Sequence, residues 1–243
     1  MIPKRIHYCW FGHGQMPELA LKCIESWHKH MPDYEFKLWN EENFNINSNQ
    51  YVKEAYEARK FAFVTDYVRL YALFTEGGIY MDTDVESIRS FDTLLHLSGF
   101  IGFEGSKYLP VGTGTIASLP HGEWVSEQLS VYNSISFINS DGSYNLLTNP
   151  FRITSEMVKN GFLQNGKEQI YKDMHIFPVD YFCPRQTTGE VLFTANTYCD
   201  HHFMGSWKNE KLGWKHCLAA IIGRKNMTRL IKIKRRLTGN ANY

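Results

Sequence analysis

No disulfide framework and no zinc ribbon is written into this chain. Its 243 residues hold five cysteines, Cys9, Cys23, Cys183, Cys199 and Cys217, an odd number with no C-x-x-C pair. That spacing favours a reducing compartment. No apolar run approaches the roughly 18 residues of a membrane span. Met1-Ile2-Pro3-Lys4-Arg5 opens the chain without an apolar h-region, so no signal peptide is expected. Internal repeats, low-complexity tracts and obvious linkers are missing as well. So are the P-loop, G-x-S-x-G and H-E-x-x-H signatures. Asp82-Thr83-Asp84-Val85-Glu86-Ser87 lacks the sixth-position glycine of an EF-hand loop. Gly112 to Ala117 fits G-x-G-x-x-A, but Pro110 and Pro120 bracket it where a dinucleotide fingerprint needs a helix.

What is present fits a soluble globular chain, at 43% hydrophobic and 21% charged residues. The length suits one large domain or two small ones. Aromatics reach 15%, a level shared by carbohydrate sites and ordinary cores, so they decide nothing alone. Strands are expected over 5–11 and 35–39, with a helix from Pro17 to about Met31 between them. That order suggests a parallel strand–helix–strand unit. A short helix is expected near Tyr51 to Ala58, and a strong one from Lys60 to Glu76, stopped by Gly77-Gly78. Ile79 to Met81 reads as the next strand. Beyond Asp84 the signals thin: a strand near 100–104, a helix near 123–132, mixed loop and helix over 144–157, and strands near 176–179 and within 197–207. One α/β domain with an elaborated second half is the economical reading.

The chemistry concentrates in Gly77-Gly78-Ile79-Tyr80-Met81-Asp82-Thr83-Asp84. A D-x-D pair after a strand can grip one hard divalent cation, Mg²⁺ or Mn²⁺, which keeps open positions for phosphate oxygens. The bland alternative is a turn, which Asp-Thr-Asp also favours. In the helix at 60–76, Ala62, Thr65, Asp66 and Arg69 form one narrow stripe on an otherwise apolar surface. Asp66 and Arg69 could simply pair at i, i+3. Buried, they need further partners, and a ligand rich in hydroxyls and phosphates would supply them. Trp10 lies just past the first strand beside glycines, where a nucleobase could stack. In His201-His202-Phe203-Met204-Gly205-Ser206-Trp207, a histidine or a hydroxyl could complete a cation shell, but strand alternation lets only one of the two histidines face it.

Charge is uneven. Residues 208–243 carry a net +9 and the remaining 207 a net −8. Residues 224–236 hold seven Lys/Arg among Met227, Leu230, Ile231 and Ile233. Such a tail suits an anionic lipid surface, or is merely a solvated end. A nucleic-acid role has no other support, and none is expected.

Four motifs in order carry a resemblance: Ile2 to Gly12, then Asp66-Tyr67-Val68-Arg69, then Gly77 to Asp84, then His201 to Trp207. Together they resemble the DXD-containing sugar transferases of glycosyltransferase family 32, which include bacterial capsular-polysaccharide transferases. The likeness covers the first 90 residues and the His-His…Ser-Trp segment; residues 90–195 are not recognisable. It implies a single GT-A domain, a Rossmann-like mixed sheet with helices on both faces. In that scheme residues 1–90 bind a nucleotide-sugar, 91–223 serve the acceptor and closing segment, and 224–243 form the basic tail. It implies Mn²⁺ or Mg²⁺ and retention of anomeric configuration. Asp82 and Asp84 match the metal pair, with Asp84 favoured as direct ligand, joined by His201 or His202. Asp66, Arg69 and Asp82 match the catalytic groups. Trp10, Tyr80, Ser206 and Trp207 complete the donor site, Trp10 by stacking on the base.

The expected activity is hexose transfer from a nucleotide-sugar, UDP-linked, to a glycan or lipid-linked acceptor in surface polysaccharide synthesis. The expected place is cytoplasmic, peripheral at the inner face of the plasma membrane. Two rivals stand against it. A haloacid-dehalogenase-type phosphatase opens with an apolar strand and D-x-D-x-[TV], which Ile79 to Val85 fits, but that motif starts its domain and here about 80 residues precede it. A non-catalytic carbohydrate-binding protein is the third reading, disfavoured because every donor-side residue is present.

Overall fold

The computed structural model describes residues 1–105, 110–185 and 191–204. Strand β1 (Arg5–Cys9) leads through α1 (Glu18–His30) to β2 (Glu35–Trp39). Then come α2 (Gln50–Glu57), α3 (Phe61–Glu76), β3 (Gly78–Met81) and β4 (Val85–Ser87). The second half holds β5 (Gly99–Phe103), β6 (Val111–Ser118), α4 (Glu123–Val131) and α5 (Asn149–Lys159). It ends in β7 (Gln169–Tyr171), β8 (Met174–Phe177), the one-turn α6 (Val179–Phe182) and β9 (Cys199–His201).

Seven strands form one sheet in the order β2-β1-β3-β6-β5-β8-β7, and β4 pairs β9 in a small ribbon. β1 runs parallel to β2 and β3, with Arg5 opposite Glu35 and Ile6 opposite Ile79. β6 is antiparallel to both β3 and β5, so β5 again runs with β1 and β3. Thus β1, β2, β3, β5 and β8 all end on the same edge of the sheet, and that edge is where open α/β sheets bind ligands.

Strand alternation sends apolar side chains to two cores. One buries Tyr80, Ile101 and Ile116 under α2, α3, α4 and α5. The other buries Ile6, Ile79, Met81, Phe100 and Ala117 against Trp27 of α1, Met31 just past its end, Phe91 and Phe182. Helices therefore cover both faces. α3 ends where expected: Gly77 takes φ 64°, and its N–H reaches Leu73 O at 2.9 Å. A Cβ there would lie 2.6 Å from Pro120 Cδ, so glycine meets both the turn and the close approach.

Some expectations need correction. Val111–Ser118, to which the sequence assigned no element, is a central strand. β4 and β7, three residues each, were not expected. The mixed segment at 144–157 resolves into α5, with Pro150 in its first turn. Val179 begins α6 rather than ending β8. Among the described residues no helix is long and apolar enough to cross a membrane. The basic tail lies outside the described residues.

His7 predicts an acid-sensitive fold. Its Nδ1 accepts from Trp39 Nε1 at 3.0 Å, so its Nε2–H donates to Gly77 O at 2.8 Å. This buried ring is thereby fixed as the neutral tautomer. Burial lowers its pKa from 6.5 to about 4. The unfolded chain therefore binds more protons between those values. Stability is lost as pH falls through this window, by on the order of 3 kcal/mol in all. Thermal melts should fall between pH 7 and pH 4.5, and by less in His7→Gln. Equal slopes in both proteins would rule His7 out as the source.

Candidate functional site

The carboxyl ends of β1, β3 and β5 open on a cavity of about 810 Å³. Trp10, Asp82 and Glu104 stand just past those three ends and all line it. Trp10 is half-buried; its Nε1 donates to Gly14 O at 2.6 Å, which fixes the ring plane. Gly12 has φ 93°, and a Cβ there would strike the Phe61 ring at 2.3 Å. The loop can lie against α3 only because this residue has no side chain.

The polar stripe of α3 faces this cavity. Ala62, Thr65, Asp66 and Arg69 all line it. Arg69 is buried and held by two carboxylates: Nη2 lies 3.1 Å from Asp66 Oδ1 and Nη1 3.2 Å from Asp82 Oδ1. Nη1 also donates to Thr113 O at 2.5 Å, and the guanidinium sits 4.7 Å over the Tyr80 ring. Burial opposes its charge, but Asp82, Tyr80 and Asp66 outweigh that and raise its pKa further. Burial also pushes Asp66 up to about 6, against the pull of Arg69. The i, i+3 pair therefore exists, and it lines a cavity of ligand size.

Asp66 has a support that the sequence did not disclose. Asn149, fully buried at the start of α5, donates from Nδ2 to Asp66 O at 2.7 Å and from its backbone N–H to Asp66 Oδ2 at 3.3 Å. Its Oδ1 accepts from Tyr132 OH at 2.5 Å. The carboxylate therefore sits at a helix N-terminus, where negative charge is favoured. Only the Asn-Pro start of a helix hints at this in the chain.

Tyr80 OH donates to Asp82 Oδ1 at 2.6 Å, and Asp82 N donates to Gly114 O at 2.8 Å. Asp84 Oδ1 lies 3.2 Å from His201 Nε2, and its Oδ2 accepts from Met204 N at 2.8 Å. Burial works against the Asp84 charge, yet the His201 hydrogen bond leads the contacts that bring its pKa below the usual value. For His201, burial is likewise overcome by its contacts to Asp84 and Cys183, so its pKa is held well above normal.

Donor atoms of Asp82, Asp84 and His201 lie within 4.8 Å of one another. Two carboxylates and one imidazole at that spacing suit a divalent cation such as Mn²⁺. His202 is placed elsewhere: its Nε2 lies 2.9 Å from Glu86 Oε2, away from the pair. The register Val85 opposite His201 makes that choice, because it sets His201 beside the end of β3. Ser206 and Trp207 lie outside the described residues. Glu104, absent from the expected set, lines the same cavity, and burial pushes its carboxyl up to about 7. A carboxylate directly after the strand Gly99–Phe103 was the available signal.

Residues 17–100 match the family described as the glycosyltransferase sugar-binding region containing DXD motif. The chain is 33% identical over 104 residues to inositol phosphoceramide mannosyltransferase 3 of Schizosaccharomyces pombe, covering 41% of this chain and 29% of that protein. It is 26% identical over 111 residues to subversion of eukaryotic traffic protein A of Legionella pneumophila subsp. pneumophila, covering 35% and 17%. The matches thus span less than a third of either curated relative. Among solved structures, PaToxG glycosyltransferase superposes with a TM-score of 0.54 at 20% identity, over 66% of this chain and 70% of that one. The fold is the GT-A type of glycosyltransferases, and the chain carries a glycosyltransferase-like DXD region.

Proposed function

We propose that this chain is a metal-dependent, retaining glycosyltransferase that moves a hexose from a UDP-sugar to a glycan or lipid-linked acceptor. The observation that carries this is the convergence of Asp82, Asp84 and His201 with Arg69, Asp66 and Trp10 on one cavity. Trp10 stacks on the base. Arg69 faces the diphosphate, and Asp66 orients the transferred sugar through its hydroxyls. Departure of the nucleoside diphosphate builds negative charge on the leaving oxygen. Arg69 stabilises that charge more in the transition state than in the ground state. Asp82, Asp84 and His201 would hold a divalent cation, Mn²⁺ or Mg²⁺, which would supply Lewis-acid stabilisation of the developing charge. The sugar becomes oxocarbenium-like, as in glycoside hydrolysis. The family 32 resemblance of the motifs supports retention.

A panel of nucleotide-sugars with Mn²⁺, scored for binding and slow hydrolysis, tests this. Saturable UDP-sugar hydrolysis that stops in EDTA is expected. Turnover of simple phosphomonoesters instead would favour the phosphatase reading. Binding without hydrolysis would favour a lectin.

The fission yeast relative is named for mannosyl transfer to inositol phosphoceramide, a lipid, which is in line with a lipid-linked acceptor here. We further propose that residues 224–236 rest on anionic lipid at the inner face of the plasma membrane, serving surface polysaccharide synthesis from the cytoplasm. Seven basic residues, each worth about 1 kcal/mol near such a surface, motivate this. Truncation after Gly223 should weaken binding to anionic vesicles and spare donor hydrolysis. Equal sedimentation of the truncated and full chains with vesicles would refute the lipid role.

A further inference from the structure

Resting on the cation site just proposed, we infer that Glu104 is a positioning residue, which with Cys183 holds the far edge of the His201 ring so that Nε2 faces Asp84. The two nitrogens of this ring meet different neighbours. Nε2 is 3.2 Å from Asp84 Oδ1. The Nδ1 edge lies over β6, where a Cβ at Gly114 would come within 2.9 Å of it. On that side, donor atoms of Glu104, Cys183 and His201 fall within 4.8 Å of one another. They border a cavity of about 10 Å³, shared with Gly102, Gly112 and Gly114. That is room for about one water.

The G-x-G of β6 gains its purpose here. Gly112 and Gly114 both border this small cavity, at a break in the β5–β6 register. A Cβ at Gly112 would lie 3.0 Å from Glu104 Oε2, as one at Gly114 would crowd His201. The bare stretch of strand is therefore what lets the carboxylate and the imidazole approach each other across it. With Nε2 turned toward a cation, Nδ1 must carry the proton and needs an acceptor. Glu104 can accept it through one water, and among the described residues its carboxylate makes no hydrogen bond or ion pair to another side chain. A ligating histidine commonly donates its second N–H to a carboxylate in this way. Losing that partner typically weakens metal binding 10- to 100-fold.

The test is Mn²⁺ affinity of the full chain, read by electron paramagnetic resonance without donor or acceptor. Glu104→Gln should weaken Mn²⁺ at least about 10-fold. In a His201→Ala background, where Asp82 and Asp84 leave a residual site, Glu104→Gln should cause no further loss, because the effect passes through the ring. A merely structural Glu104 would weaken binding in both backgrounds, and that outcome overturns the inference, as does wild-type affinity in Glu104→Gln. If Glu104→Gln does not fold, Glu104→Asp carries the same comparison. Wild-type protein that takes up no Mn²⁺ would overturn the cation site and this inference together. Zinc retained by Asp84→Asn but lost from Cys183→Ser would make the cluster a metal site of its own and also overturn the positioning role.

Discussion

Asp84→Asn should lose cation uptake and sugar transfer together while the fold survives. Asp84 does two jobs that this substitution separates. Its charge faces His201, at 3.2 Å, and would serve the proposed cation. Its Oδ2 accepts the backbone N–H of Met204 at 2.8 Å and so ties residues 201–204 to the end of β3. Alanine would remove both, and a dead Asp84→Ala enzyme could reflect a loosened closing segment. Asparagine keeps an oxygen for Met204 and removes the charge. The expected transfer loss is at least about 10³-fold, several kcal/mol of transition-state stabilisation. Mn²⁺ binding should weaken in parallel, and the thermal midpoint should stay close to wild type. Near-wild-type turnover of Asp84→Asn at low Mn²⁺ would end the assignment of Asp84 as a ligand. Turnover that persists in excess EDTA would end metal dependence altogether.

How much of this site was legible depended on whether a signal was local. The α3 stripe could be read because Asp66 and Arg69 contradict their surroundings on a helix apolar nearly all round. The stop at Gly77-Gly78 was equally local. β6 was not readable as a strand. Four of its eight residues are Gly or Thr, prolines stand outside both ends, and the glycines answer to Glu104 and to His201, a residue nearly ninety positions away. Alternation along β9 told that only one histidine could face the cation. Which one rested on the β4–β9 register, a long-range fact. Asn149 was invisible for the same reason: its partners, Asp66 and Tyr132, come from two other helical segments. Chemistry written within one turn or one strand end could be recovered. Chemistry completed by a neighbouring element could not.

Arg69→Ala should cost transfer about 10²-fold or more, on the order of 3 kcal/mol, and Asp66→Ala a similar amount. Arg69 joins three elements: Asp66 on its own helix, Asp82 past β3, and the Thr113 carbonyl of β6. The charge balance around it is two carboxylates to one guanidinium, before any diphosphate arrives. Asp82 and Asp66 offset the cost of burying this charge, which a diphosphate would meet. Removing it leaves two acids close together with Arg152 as the remaining counter-charge to Asp66, whose pKa, already raised to about 6, should rise further in the variant. Arg69→Lys keeps a charge but cannot reach Asp66, Asp82 and Thr113 at once from a single ammonium. It should therefore retain the fold and recover only part of the rate. The decisive comparison is kinetic. If Arg69 acts on the leaving diphosphate, kcat falls and kcat/KM falls with it, while the melting temperature changes by less than the rate would suggest. If Arg69→Ala melts far earlier yet turns over the remaining folded protein at the wild-type rate, the Asp66–Arg69–Asp82 array is a structural ion cluster and the catalytic assignment fails.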